Sequence, residues 1–231
     1  MATSEAIPGN FSTAILACGA LAREIRSLID RHGWSHMHLT CLPAALHNRP
    51  QAIPDRVDAA LHDLTARFDR VLVGYADCGT GGALDRVLER HGVTRLPGAH
   101  CYDVFGGAAT IAQIVDDEIG TFFLTDFLAR QFETLIVKGL GIDRHPELLE
   151  MYFGNYRRLV YLAQTDDPEL DRRARAGADR LGLAFERRSV GYGVLGDWLA
   201  SPPESQPRKA SPGKPVMERQ PKGPHDDRTD A

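Results

Sequence analysis

A chain of 231 residues with 43% hydrophobic content is long enough for one sizeable core. Its net charge of −4 removes the electrostatic case for nucleic acid or an anionic membrane as partner, which leaves small molecules or proteins. The opening text "MATSEAIPGNFSTAILACGAL" has no basic region before its apolar run, and that run is too short to span a bilayer, so a cytoplasmic location is expected.

In chain order, "TAILAC" (13–18) reads as a strand, and "ALAREIRSLIDRHG" follows as a helix, with Leu21, Ile25, Leu28 and Ile29 at helical spacing and Gly33 as the stop. "HMHLTC" (36–41) reads as a second strand and leads into a loop punctuated by prolines. A helix from about 54 to 68 places Val57, Leu61 and Leu64 on one face. "RVLVGYA" (70–76) is the most strand-like segment of all. It is followed by the helix "GALDRVLERHG" and a short run around "VTRLPGAHC". The middle section, "GAATIAQIVDDEIGTFFLTDFLARQFETLIVKGLGI", reads as mostly helical. "RRLVYLAQ" is a further strand, "DPELDRRARAGADRLGL" a helix with Pro168 in its first turn, "AFERRSV" a last strand and "GVLGDWLA" a closing helix.

Strand and helix in alternation predict an α/β fold, a mostly parallel open sheet of about six strands with flanking helices in a Rossmann-like three-layer arrangement. Residues 1–11 read as an N-terminal extension and 12–200 as a single α/β domain. Residues 201–231 hold seven of the chain's 14 prolines and almost nothing apolar, the composition of a disordered tail. Lys138 is the one lysine ahead of that tail.

A cytoplasmic chain keeps its thiols reduced, so four cysteines read as buried thiols, metal ligands or reactive groups rather than as two disulfides. Each ends one of the four consecutive strand-like runs of the first half: Cys18, Cys41, Cys78 and Cys101. In a parallel sheet those ends share the edge where ligands bind. His100 and Asp103 flank Cys101, Asp77 precedes Cys78, and His47 lies in the loop after Cys41. Thiolate and imidazole together suit zinc, iron or a sulfur cluster, and a thiol in a helix's first turn is favoured as thiolate. The expected ligand set is Cys41, Cys78, His100 and Cys101, holding zinc in preference to iron, with Cys18 the cysteine read as merely buried. No CxxC pair is present, so four thiols packed as small hydrophobes remain the competing account.

Gly79, Thr80, Gly81 and Gly82 in "DCGTGG" form a glycine turn before a helix, which could cradle an anionic group. The turn lacks the Lys-Ser/Thr pair of a phosphate loop and the GxGxxG spacing, so no nucleotide is expected. If "DDEIGTFFLTDFLARQFETLI" is one helix, Glu118 shares a face with Thr121 and Thr125. Glu118 or His47 would then be the proton-moving group.

"ILACGAL", "CLPAALHNRP", "VLVGYADCGTGG", "HCYDVFGG" and "DEIGTFFLTDFLARQF" together resemble the bacterial and archaeal family called domain of unknown function 1638, over about residues 12 to 200. The resemblance carries no activity. It implies a place near corrinoid-dependent methyltransferases of the trimethylamine methyltransferase type, and so near one-carbon transfer, although no B12-binding DxHxxG motif occurs here. The expectation is a metal or thiolate protein acting on a small molecule at the strand-end crevice. Its rival is a noncatalytic accessory protein that binds a corrinoid protein or methyltransferase and uses its cysteines for packing.

Overall fold

The computed structural model describes residues 12–202, so the N-terminal extension and nearly all of the Pro-rich tail lie outside the described residues. Four strands, β1 (Thr13–Cys18), β2 (Met37–Leu42), β3 (Arg70–Gly74) and β4 (Thr94–Arg95), pair in the order β2-β1-β3-β4, each pair parallel. All six residues of β1 are buried, as a strand covered on both faces requires. One cover is α1 (Ala22–His32), whose Ile25, Leu28 and Ile29 pack with Ile15, Ala17 and Leu72. It stops at Gly33, where a φ of 64° calls for glycine. The other cover is α2 (Ile53–Arg67) with α3 (Ala83–His91), packed on Ala14, Leu16, Val71 and Val73.

The chain then makes α4 (Cys101–Gly106), α5 (Ala108–Asp117), β5 (Thr121–Thr125) and α6 (Asp126–Phe132). The last continues through a π-helical stretch, Glu133–Lys138, to α7 (Leu148–Phe153). After it come β6 (Arg158–Ala163), α8 (Pro168–Leu181), β7 (Ala184–Ser189) and α9 (Leu195–Ala200). Strands β5, β6 and β7 form a second parallel sheet in that order. Helices α6 and α8 cover one of its faces, and α5 with Tyr102 of α4 covers the other. Two elements tie the halves together. Helix α4 sends Tyr102 to the second sheet, stacked on Phe123 at 5.1 Å, and Val104 and Phe105 to the first. Helix α9 returns to the first sheet with Leu195, Trp198 and Leu199.

The α/β class and the parallel strands with flanking helices are as expected, while among the described residues the strands number seven and are divided between two sheets. The middle section departs from its reading, because "TFFLT" is β5 and not part of a helix. An apolar run of five residues buried on both sides has no period that separates strand from helix. Its limits are set by Gly120 before it and by Thr125 after it, whose hydroxyl caps α6 at the Leu128 amide. Cys101 likewise opens α4 instead of ending a strand, since β4 spans two residues only. Among the described residues no helix is long and apolar enough to cross a membrane.

Candidate functional site

The first sheet reverses its direction of growth between β1 and β3, with α1 on one face and α2 and α3 on the other. In open α/β sheets the crevice at such a switch point is where ligands bind. Cys18 closes β1, and Cys78 lies four residues past the end of β3, so the two thiols flank this crevice. Cys101 reaches it from the start of α4, and ionisation of Cys78 or Cys18 would oppose that of Cys101. Cys18, expected to be merely buried, therefore shares an electrostatic neighbourhood with Cys78 and Cys101, and Cys41 bears on Cys18 as well.

Each thiol is held differently. Cys18 accepts from the Ala20 amide at 3.3 Å, and its Sγ is 3.7 Å from His47 Nδ1. Cys78 has a φ of 52° and is, among the described residues, the one non-glycine residue with positive φ. That conformation costs about 1 kcal/mol or more relative to glycine. It is enforced by the Cys78 amide donating to the Ala99 carbonyl at 2.8 Å and the Asp77 amide donating to Gly98 at 3.1 Å.

Burial is the largest influence on all three thiols and opposes ionisation: Cys18 is pushed up to about 12, Cys78 to about 11, and Cys101 higher still. The short helix behind Cys101 does not reverse this, so the thiolate expected from a helix start is not what the bare protein holds. Beside Cys18 stands the hydroxyl of Tyr75, wholly buried, raised in the same way by burial, and with no partner in good hydrogen-bond geometry. An orphaned hydroxyl among desolvated thiols is an incomplete polar set.

His47 stacks on Tyr75, with ring centroids 6.4 Å apart. Its Nδ1 lies 3.1 Å from the Ala44 carbonyl, so Nδ1 carries the proton and Nε2 the lone pair. Burial pushes its pKa below the usual histidine range, which keeps the ring neutral and suited to ligation or proton acceptance. Next to these groups opens a cavity of about 190 Å³ whose walls come from both halves of the fold. His47, Asn48, Cys101 and Tyr102 face Thr125 and the apolar Phe122, Phe127 and Leu128.

The remaining expected residues are placed elsewhere. Cys41 is exposed and lines a groove with Arg23, Arg26 and Asp30 of α1, on the face of the first sheet opposite to that of Cys18. A one-residue step along a strand reverses the face, and Leu42, not Cys41, points into the core shared with Cys18. His100 is exposed at the N-cap of α4, where its amide donates to Asp103 Oδ2 at 3.0 Å. Glu118 caps the C-terminus of α5 and accepts from the Gly120 amide at 2.7 Å. It thus stands before β5, at the strand end away from Thr125 and the cavity. The shared helical face that joined it to Thr125 does not exist.

The glycine turn already contains an anion. The Asp77 carboxylate accepts from the Thr80 hydroxyl at 2.8 Å, the Gly82 amide at 2.9 Å and the Gly81 amide at 3.1 Å. The Gly82 amide contributes most to holding its pKa below the usual carboxylate range. With Asp77 seated there, Gly79, Thr80, Gly81 and Gly82 shape the loop that carries Cys78 rather than offer a cradle to phosphate.

Sequence reading missed Tyr75, Tyr102 and Phe127, and named Thr125 only as a neighbour of Glu118 on a helical face. Tyr75 had a readable signal, a phenol ending an apolar strand beside an expected site. The other three depend on which helix the second sheet meets. Among the described residues, the group of three or more donor side chains whose ligand atoms lie mutually within 4.8 Å is Asp58, His62 and His91, outside this crevice. In the crevice, at least one pair of thiols is therefore wider apart than that.

Two outcomes follow for the bare protein. At pH 8 under native conditions, Cys41 should react rapidly with an alkylating reagent, while Cys18, Cys78 and Cys101 stay unmodified until unfolding, as peptide mapping would read. Second, a thiol whose pKa is raised on folding leaves stability intact below its unfolded value near 8.5–9 and erodes it above. Chemical denaturation should therefore show stability falling from about pH 9 up to the folded values of about 12 and 11 for Cys18 and Cys78. The slope should approach about 1.4 kcal/mol per pH unit for each thiol. A flat profile from pH 8 to 10.5 would show that the thiols are not desolvated.

No curated protein and no solved structure matches the chain. A family model described as "Protein of unknown function (DUF1638)" matches residues 41–199, which takes in His47, Cys78 and Cys101 and leaves Cys18 outside.

Proposed function

Because that match spans more than half of the chain, the chain belongs to the DUF1638 family, and from that premise we propose that it is a metal–thiolate protein acting on a small molecule in the crevice. Cys18, Cys78 and Cys101 are the ligands, and His47 is a fourth ligand or the proton acceptor. One observation carries this reading: thiols from the end of β1, the loop after β3 and the start of α4 lie near enough to oppose one another's ionisation, where burial keeps each of them protonated. A soft cation replaces those protons and supplies the charge that the site lacks.

The cavity limits the substrate. About 190 Å³ is close to the roughly 150 Å³ cavity that accepts benzene, and below the range of about 300–1,000 Å³ of drug-sized ligand sites. A small molecule with an apolar body, met by Phe122, Phe127 and Leu128 and oriented by Asn48 or Thr125, fits it. A corrinoid ring does not. A link to corrinoid-dependent methyl transfer, drawn from the family resemblance, therefore requires a partner protein to present its methyl group at the cavity mouth. A metal-bound thiolate, of the protein or of the substrate, would accept it.

The spacing of the thiols favours one metal over another. With Zn–S bonds of about 2.3 Å, tetrahedral ligands stand about 3.8 Å apart. At least one pair of the thiols stands wider apart than that, because the set does not meet a 4.8 Å limit. An iron–sulfur cluster held by three cysteines, with its fourth iron open to substrate, suits such a spread without further closure. Elemental analysis of anaerobically purified protein decides the matter. Iron with acid-labile sulfide, about four of each per chain, means a cluster, and about one zinc that Cys78→Ser abolishes means a single ion around which the thiols close. No metal in either form, after expression with iron and zinc supplied, would overturn the reading in favour of the accessory protein with structural cysteines.

A further inference from the structure

The first sheet carries a second donor set on its outer helices, and it is built from residues that the crevice does not use. Asp58 and His62 are four residues apart on α2 and so share a face. His91 is the last residue of α3, which runs beside α2 over the same side of the sheet. One ligand atom from each of the three lies within 4.8 Å of the others. His91 Nε2 is 2.6 Å from Asp58 Oδ1, and the two imidazoles meet edge to face at 4.9 Å. The second carboxylate oxygen of Asp58 is held by Arg90 Nη2 at 3.1 Å, which fixes the carboxylate plane and leaves Oδ1 toward the histidines. Outer partners that orient ligands in this way are a regular part of metal sites.

We infer that Asp58, His62 and His91 form a divalent transition-metal site, for zinc or a comparable imidazole-binding ion, that clamps α2 to α3. Two imidazole nitrogens and one carboxylate oxygen are a borderline set that zinc, nickel, copper and cobalt accept, and calcium and magnesium do not favour. Three protein ligands leave the remaining positions to water, and His62 is exposed, so the ion exchanges with solvent. Without the ion, the His91–Asp58 hydrogen bond occupies the same locus, and binding replaces it. The site is independent of the thiol centre because it shares no residue with it.

The test uses the full chain after treatment with a chelator, titrated with zinc by calorimetry and with cobalt by absorption spectroscopy. His62→Ala removes an exposed ring and should leave the melting temperature of the metal-free protein unchanged. The expected result is a zinc-binding event that His62→Ala weakens by about tenfold or more and that Cys78→Ser leaves in place. In the Cys78→Ser background, which disables the thiol centre, cobalt at this site should lack sulfur-to-metal charge transfer, and His62→Cys should restore binding and introduce that band. Equal zinc affinity in the wild type and His62→Ala, or no charge-transfer band in His62→Cys, would overturn the assignment and leave the three residues as an ion-pair network around Asp58.

Discussion

In a His62→Ala background, which removes the donor set on α2 and α3, replacing Cys101 by serine, or Cys78 by glycine, is expected to remove at least nine-tenths of the metal bound by the anaerobically purified protein while leaving it folded. The two substitutions are chosen for what they preserve. Glycine at position 78 accepts the positive φ of 52° without strain, so the loop from Asp77 to Gly82 keeps its path and only the thiol is lost. Serine at 101 keeps the size of the side chain at the start of α4 but offers a far weaker donor to a soft ion. The transition temperature of the bare protein should change little in Cys78→Gly, because relief of strain of about 1 kcal/mol offsets the loss of a small buried side chain. Cys41→Ser is the control. Its exposed thiol lies on the other face of β2, so metal content should stay at the wild-type level. If Cys41→Ser lost the metal and Cys78→Gly kept it, the crevice would not be the site.

The second large effect concerns stability. Asp126 has no exposed surface and stands at the strand-end edge of the second sheet. Its Oδ1 accepts from the Tyr161 hydroxyl at 2.7 Å and the Gln164 amide at 3.0 Å, and its Oδ2 from the Thr165 hydroxyl at 2.6 Å. The Asp126 amide in turn donates to Gln164 Oε1 at 2.7 Å, and Gln164 Nε2 donates to the Leu162 carbonyl. Arg130, one turn along α6, approaches Oδ2 at 3.7 Å. Glu24 of α1, almost wholly buried, is within electrostatic reach of Arg130 and Asp126, and burial raises its pKa. This cluster is the polar seam between the two halves, beside the cavity that both halves line.

Asp126→Ala would leave three donors and the Arg130 guanidinium without their acceptor. Each buried orphan costs about 1–3 kcal/mol, and breaking a buried charged pair by deleting one partner costs about 3–5 kcal/mol. The variant should therefore lose about 4 kcal/mol in urea unfolding, a large part of the roughly 5–15 kcal/mol of a typical domain. Asp126→Asn keeps the shape and most of the acceptor capacity, because the Thr165 hydroxyl can turn to accept from the new amide, and should lose about half as much. A loss below about 1 kcal/mol in the alanine variant would mean that water takes the place of the carboxylate and that the seam is not dry.

The sequence by itself determined the α/β class and nearly every strand and helix of the first half. The reason is that local signals are strong there: continuous apolar runs such as "TAILAC" and "RVLVG", helical spacing in α1 and α3, and glycine stops. It also held the family assignment, because those strand-end motifs are distinctive. Only the tertiary structure decided the rest. Whether "TFFLT" is strand or helix depends on burial from both sides, which no short apolar run encodes, and that choice created the second sheet and moved Glu118 away from the cavity. Which cysteines meet depends on face and direction. Cys41 and Leu42 differ by one residue and point to opposite sides of β2, and Cys18 faces His47 because the loop after β2 folds back over the end of β1. Asp77 fills the glycine turn that looked open in the text, because only the folded loop brings its carboxylate onto the amides of Gly81 and Gly82. Strand ends can be found from periodicity, but what lies across from them is set by packing between segments far apart in the chain.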